Sequence, residues 1–454
     1  VSSQERRANP HEISFWRVAA IAGPVAIANV TAPLQGAVDT AVIGRLGDIA
    51  ALAAVGMGAE FFSLLYSGFN FLQIGASGLT AQAIGARKFD EAAAILIRGL
   101  AVGVSLALLI LLCQKPLQIG GLAIFEASAA AESHTAQYYN WRIWGTPAEL
   151  MNYVVVGWLA GQEQIRKLFL HQTLLAGLNI ALSIFLVAGL GLGVPGVGLG
   201  TMIASWLGLF FGLWLAFERL TTILPNKWRM NQSHLWDRQA FKKLFALNRD
   251  LFIRTILLVG AFVWMMRLGS QLGDSILAVN VVLWQFFIVS AYFMDGFAIA
   301  AETLVGQAVG AQSRLLMDRA VKMVILGGVA LAFISTAFFV ALFGLIVDLF
   351  STAPEIRALA REYMTWAAFI PLIGVWAFMY DGIFVGATGA AQMRNGMIIS
   401  TGIFVPISMW FAAIWGNHGL WAAIWIWLLI RALVLMAFYP TLQNKMPPPK
   451  KLRL

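Results

Sequence analysis

Cysteine is nearly absent. The one thiol, Cys113, excludes an intramolecular disulfide framework and a cysteine-based zinc site. Charge is scarce as well: Asp, Glu, Lys and Arg make up 12% of the 454 residues, about half of the ~25% usual in a soluble domain. A soluble chain of this length folds into two or three domains with polar surfaces, and there are too few charges to coat them. The five histidines (His11, His134, His171, His234 and His418) lie scattered near the ends of apolar runs, with no metal-ligand spacing. No Walker motif, paired catalytic carboxylates or nucleophile–base arrangement occurs. Neither an enzyme nor a cofactor or metal is expected, and any transport must draw on an ion gradient.

What is present is apolar. Hydrophobic residues are 60% of the chain, and a polytopic all-α membrane protein is the class that fits. The start, "VSSQERRANPHE", is polar and the run after it is long enough to span, so no cleavable signal peptide is expected. Runs of about 20 apolar residues predict twelve spans near 13–43, 50–84, 93–112, 136–160, 168–190, 196–217, 245–270, 275–308, 319–350, 358–387, 393–415 and 419–441.

The charge balance of +9 invites a nucleic-acid reading, but the basic residues flank spans in separate clusters and form no continuous stripe. Of the 31 Lys and Arg residues, only Arg45, Lys115, Arg142, Arg267, Arg357, Arg361 and Arg431 fall in odd-numbered loops or within spans. The rest lie at the termini, in even-numbered loops or beside them. The positive-inside rule then puts both termini in the cytoplasm.

The chain also repeats itself. "RLGDIAALAAV" (45–55) matches "QLGDSILAVNV" (271–281), "LTAQAIGA" (79–86) matches "LVGQAVGA" (304–311), and Pro147 corresponds to Pro371. Residues 1–217 and 245–454 read as two copies of a six-span unit, with 218–244 as a cytoplasmic linker. Six is even, so the copies are parallel repeats about an axis along the membrane normal, an arrangement of secondary transporters with sites between halves.

One residue breaks the first apolar run: Asp39, in "PLQGAVDTAVIG" (33–44). An acid at membrane depth costs several kcal/mol and is by default a functional suspect. Gln35 lies one helical turn before it and shares its face. Val38, Thr40 and Ala41 offer the carboxylate little solvation, which favours its neutral form. Asp39 can therefore load and release a proton. Pro24 and Pro33 interrupt the same run as candidate hinges, whether fixed kinks or moving ones. The second repeat has Met265 where Asp39 would stand. That half carries Asp295, Glu302 and Asp381 instead, with Asp295 at the position of Asn70. For Asp295 and Asp381 a place at a cavity competes with a structural role between packed helices.

Together "GPVAIANVTAPLQGAVDTAVIGRLGD", "GASGLTAQAIGA", "MDGFAIAAETLVGQAVGA" and "YDGIFVGATGAAQMRN" resemble the multidrug and toxic compound extrusion (MATE) family, in its DinF-like branch, over nearly the whole chain. The resemblance implies twelve transmembrane helices in two pseudo-twofold-related six-helix lobes. It also implies export of amphipathic or cationic organic compounds in exchange for protons or sodium ions. The branch's essential carboxylate matches Asp39, grouped with polar side chains of spans five and six, here Asn179 and Thr201. Tyr and Asn residues of span four join them, at Tyr139 and Asn152. Many relatives carry a second acid four residues after the asparagine; Ser183 stands there in this chain, which weakens a sodium site and favours protons.

Other motifs read more plainly. "GLGLGVPGVGLG" (189–200) contains a formal GxGxxG, but no strand precedes it and it falls between spans, as a tight periplasmic turn does. Ser77, Ala81 and Gly85 form a small-residue ridge for helix packing. Trp264, Met265, Met266, Trp284, Tyr292 and Met294 suit either a plastic cargo surface or the lobe core and lipid face. A lipid-linked oligosaccharide flippase of the same superfamily is the rival reading. It calls for a strongly cationic cavity, and only Arg142, Arg267 and Arg431 lie clearly within spans. The expected partners are the lipid bilayer, small organic cargo and a proton, or sodium in its place, with the chain acting as a monomer.

This topology makes a labelling prediction. In a background lacking Cys113, a cysteine at position 88 or 166 is modified only from the cytoplasm and one at position 193 only from the periplasm. Modification of 88 and 193 from the same side breaks the twelve-span arrangement.

Overall fold

A computed structural model of the chain describes residues 13–29, 31–125, 128–224, 235–350 and 353–447. The polar amino-terminal stretch, the middle of the expected linker and the basic carboxyl tail beyond 447 lie outside the described residues. Every regular element described is a helix. In hydrocarbon, backbone N–H and C=O groups have no water to bond, and a helix satisfies them within one segment.

Ten described stretches are long and apolar enough to cross a membrane, against an expectation of twelve. Two physical reasons reconcile the numbers. Ala390–Asn444 is two helices running through Gly416, whose φ of 56° and ψ of −132° leave the helical region. It therefore holds the last two spans. Span four is split into Ala129–Arg142 and Thr146–Gly161 by a 3-10 turn at Ile143–Gly145. Pro147 sits in the first turn of the second piece, where its missing N–H costs little. Glu132, His134 and Arg142 make the first piece too polar to register as a span on hydropathy alone. The outward face is apolar, as lipid requires: Leu108, Leu109 and Leu112 are 54%, 57% and 83% exposed.

Span one is described as Phe15–Asn29 and Thr31–Gly44, with residue 30 outside the described residues. Pro24 lies inside Phe15–Asn29, and Pro33 lies in the first turn of Thr31–Gly44. The Pro33 side chain lies outside the described residues. The Thr31 hydroxyl donates to Ala28 O at 2.6 Å. The loop expected before span four holds a helix, Gln114–Phe125, tied to that span by Gln118 Nε2 donating to Asn140 Oδ1 at 3.2 Å.

Contacts divide the described residues into two compact units. The N-terminal unit comprises 27–84 and 88–245, and the C-terminal unit comprises the segment before Ile27, 85–87 and everything from 246 onward. Within each, the second and fourth spans of the repeat cross at glycines. A Cβ on Gly157 would fall 2.1 Å from Gln73 O, and one on Gly161 would fall 2.4 Å from Ser77 O. In the C-terminal unit Gly382 approaches Ala298 O at 2.4 Å and Gly386 approaches Glu302 O at 2.5 Å on the same measure. The same interval along the chain relates each glycine and each carbonyl to its counterpart. The internal repeat is thus a repeated backbone contact, and the ridge of Ser77 and Ala81 is one side of it.

The glycine-rich stretch 189–200 serves two purposes. Gly191 and Gly193 turn the chain at φ +69° and +58°, a region open to glycine. Helix Gly193–Ile223 begins within the motif, so its later glycines pack rather than turn. A Cβ on Gly198 would meet Tyr138 O at 2.6 Å, and one on Gly200 would meet Ser183 N at 3.2 Å. These two positions draw span six onto spans four and five.

Packing at the crossings predicts a stability contrast. Gly161→Leu overpacks a contact with no slack and costs about 1–3 kcal/mol. It should lower the thermal unfolding midpoint in detergent, and Gly386→Leu should do the same. Gly177→Leu, with nothing within 4 Å of its Cβ position, should leave the midpoint within error.

Candidate functional site

Asp39 lies two turns into Thr31–Gly44, a helix that packs against Ile165–Ile184 of span five. Ser183 is on that facing helix, and Ser183 and Arg142 are the polar side chains that interact with the Asp39 carboxylate. The Tyr138 phenol interacts with it as well. Gln35 is half-buried one turn before Asp39, on the same helix.

Close approach at Gly200 sets the second part of the site. Asn179 Nδ2 donates to Thr201 Oγ1 at 2.8 Å, and the Thr201 hydroxyl donates back to Val197 O at 3.0 Å. Asn179 is thereby held with its amide nitrogen engaged. Its Oδ1, Asp39 Oδ1 and Ser183 Oγ are all buried, and none of the three makes a regular hydrogen bond among the described residues. Ser183 interacts with Asp39 without reaching ordinary hydrogen-bond geometry. Buried oxygens of this kind are costly until a donor or a cation reaches them.

The structure gathers Asp39, Asn179, Thr201 and Ser183 in the N-terminal unit, but it places the two span-four residues expected with them elsewhere. Tyr139 turns away: its hydroxyl donates to Gln114 O at 2.7 Å, and its ring stacks on Phe62 at 5.4 Å. The adjacent Tyr138 is the tyrosine near Asp39, because one residue changes a helical side chain's direction by about 100°. Asn152 belongs to a separate buried chain. It donates to Ser205 O at 3.0 Å, and its Oδ1 meets His171 Nε2 at 3.2 Å. Ser205 Oγ in turn donates to Glu149 Oε2 at 3.1 Å.

Arg142 and Tyr138, which interact with Asp39, and Glu149 and Tyr66, which interact with Arg142, are polar residues that the sequence reading did not assign to the site. The signal for two of them was present, since Arg142 and Glu149 are charges inside a span. Among the described residues no group of three His, Cys, Asp or Glu side chains is placed to hold a metal ion.

In the C-terminal unit the candidate cavity residues divide. Met265 is 1% exposed within an apolar cluster that includes Ala261, Leu268 and Phe286, so it is core. Trp264 packs against the same cluster, and its Nε1 donates to Ser408 Oγ at 3.0 Å. Asp381 is buried and ion-paired to both Arg254 and Arg431. A buried carboxylate between two guanidiniums is satisfied where it stands, and removing one partner would leave an uncompensated charge. Asp295 is half-buried, with Arg254, Arg431 and Asp381 as its charged neighbours.

Comparison with known proteins accords with this arrangement. The chain matches the MatE family over residues 24–185 and 251–414, one stretch in each repeat. It is 36% identical to DNA damage-inducible protein F of Escherichia coli (strain K12), across 94% of this chain and 91% of that protein. It is 27% identical to a probable multidrug resistance protein NorM of Synechococcus, across 88% of each. Multidrug export protein MepA of Staphylococcus haemolyticus is 23% identical, across 91% of this chain and 90% of that protein. Among solved structures, a MATE in its bent conformation superposes with a TM-score of 0.84 at 19% identity, covering 97% of this chain and 96% of that one. An outward-facing multidrug resistance MATE family transporter superposes at 0.85, also at 19% identity, covering 97% of both.

The Asn179–Thr201 bond yields a test. Thr201→Val keeps the shape but leaves Asn179 Nδ2 buried without its acceptor, a loss of about 1–3 kcal/mol. Thr201→Ser restores an acceptor and should recover most of it. Unfolding midpoints of the two purified variants in detergent measure the difference.

Proposed function

This chain belongs to the MatE family, and on that footing we propose that it is a multidrug efflux antiporter exporting amphipathic or cationic organic compounds in exchange for protons. Asp39 is the coupling carboxylate. The observation that carries this reading is the trio of buried, donor-poor oxygens at Asp39, Asn179 and Ser183. A proton on Asp39 neutralises the one acid among them and adds an O–H donor. Loss of that proton restores a buried carboxylate, with the Ser183 hydroxyl as a donor and the Arg142 guanidinium as its charge partner, and the surrounding helices rearrange about the changed charge. Pro24 and Pro33 interrupt the same span and give it places at which to bend.

Sodium coupling is the weaker alternative. A sodium ion needs a full shell of oxygens, preferably with more than one negative charge, and Ser183 stands where a second acid would serve. The energy of protons is sufficient: each charge moved down ~100 mV releases about 2.3 kcal/mol, and each pH unit adds about 1.4 kcal/mol. In this reading the chain works as a monomer in a bacterial inner membrane with both termini in the cytoplasm. No enzymatic step is involved.

Asp39→Asn keeps the size and polarity of the side chain but cannot titrate. It should abolish dye efflux driven by a pH gradient while the protein stays folded and inserted. Met265→Ala, at the pseudosymmetric core position, should leave most of the efflux. Undiminished efflux by the asparagine variant removes Asp39 from the mechanism.

A further inference from the structure

Arg142 ends the first piece of span four, one residue before the 3-10 turn. Three aromatic rings surround its guanidinium: Phe62 at 5.1 Å, Tyr66 at 6.0 Å and Tyr138 at 5.9 Å from the ring centroids. Each ring is fixed independently. Phe62 is fully buried, Tyr66 shares a 3.0 Å hydrogen bond with Thr146 Oγ1, and a Cβ on Gly58 would overlap the Tyr138 ring at 2.4 Å. An aromatic enclosure of this kind is the arrangement that recognises organic cations, and here the chain's own cation fills it. Arg142 Nε is buried without a hydrogen-bond partner. The charged and titratable groups that interact with Arg142 are Asp39 from span one, Tyr66 from span two, and Tyr138, Glu149 and Tyr153 from span four.

We propose that Arg142 is the resident cation of the Asp39 site, caged by Phe62, Tyr66 and Tyr138, and that it specifies protons over sodium by holding the electrostatic position a metal ion would take. The inference rests on the proton-coupled reading above and names the residue that enforces it. A proton binds Asp39 as a covalent O–H, which removes the carboxylate charge and adds no free cation. A sodium ion would instead bring a second full positive charge next to the guanidinium. At an effective dielectric of ~20, two unit charges several ångströms apart change each other's affinity by about tenfold to a hundredfold. With Arg142 removed, the negative charges of Asp39 and Glu149, both of which interact with it, lose their shared cation, and Ser183 still offers its oxygen to Asp39.

The test is sodium binding by purified full-length protein in detergent, read as the rise in unfolding temperature when sodium chloride replaces choline chloride at constant pH and ionic strength. Wild type and Arg142→Lys should show no rise. Arg142→Gln should gain sodium affinity by about tenfold to a hundredfold, and the gain should vanish in the Asp39→Asn, Arg142→Gln double variant. Arg142→Met, whose unbranched apolar chain suits the three rings, provides a second route should the glutamine variant not fold. No sodium response in folded Arg142→Gln or Arg142→Met overturns the role of Arg142 alone, provided wild-type efflux still follows protons. Wild-type efflux that follows sodium overturns the proton reading beneath it.

Discussion

The constraint on which everything else depends is that a backbone amide inside hydrocarbon must find its partner within its own helix. Helices satisfy the main chain completely, so side chains carry all the remaining polarity at membrane depth. Each polar side chain is then either paired in place or left as a source of instability that a ligand or a proton can relieve. The two units meet this condition in opposite ways. In the C-terminal unit Arg254 and Arg431 close on Asp381, and the charge is balanced by protein alone. In the N-terminal unit Asp39 Oδ1, Asn179 Oδ1 and Ser183 Oγ stay without hydrogen bonds. The first arrangement holds helices together; the second is the one proposed to answer to a proton.

Both arrangements stand on the same scaffold. Gly157 and Gly161 in one half, and Gly382 and Gly386 in the other, let a helix lie directly on the carbonyls of its neighbour. Packing between helices in a membrane depends on such close approach, because burial from lipid offers little drive. The repeated glycines preserve the crossing while the polar residues around it diverge. That divergence leaves a carboxylate in one half without an identical copy in the other. Met265, at the position related to Asp39, lies in an apolar core.

Much of this was legible in the residues. Asp39 stood out because a charge interrupts an apolar run, and the repeat stood out because glycines and prolines recur in register. The structure confirms the helical fold and the match to the family. What was hidden depends on contacts between distant segments. That Asn179 and Thr201 belong together was implied by resemblance alone, and the bond between them could not be read from either span. Tyr138 and Tyr139 differ by one position, and helical phase decides between them, so a plain reading of the segment had no means of choosing. Gly416 falls in the gap expected between the last two spans, and its positive φ makes the break there. The cage around Arg142 needs Phe62 and Tyr66 from another span, so the residue read only as one of several charges inside the membrane.

The central claim is that a proton, and no metal ion, exchanges with the cargo. Purified protein in proteoliposomes loaded with dye can be given a pH gradient without sodium, or a sodium gradient at constant pH. The account predicts that dye movement follows the pH gradient and ignores the sodium gradient. Dye movement that follows sodium at constant pH, and does not respond to a pH step in its absence, contradicts it.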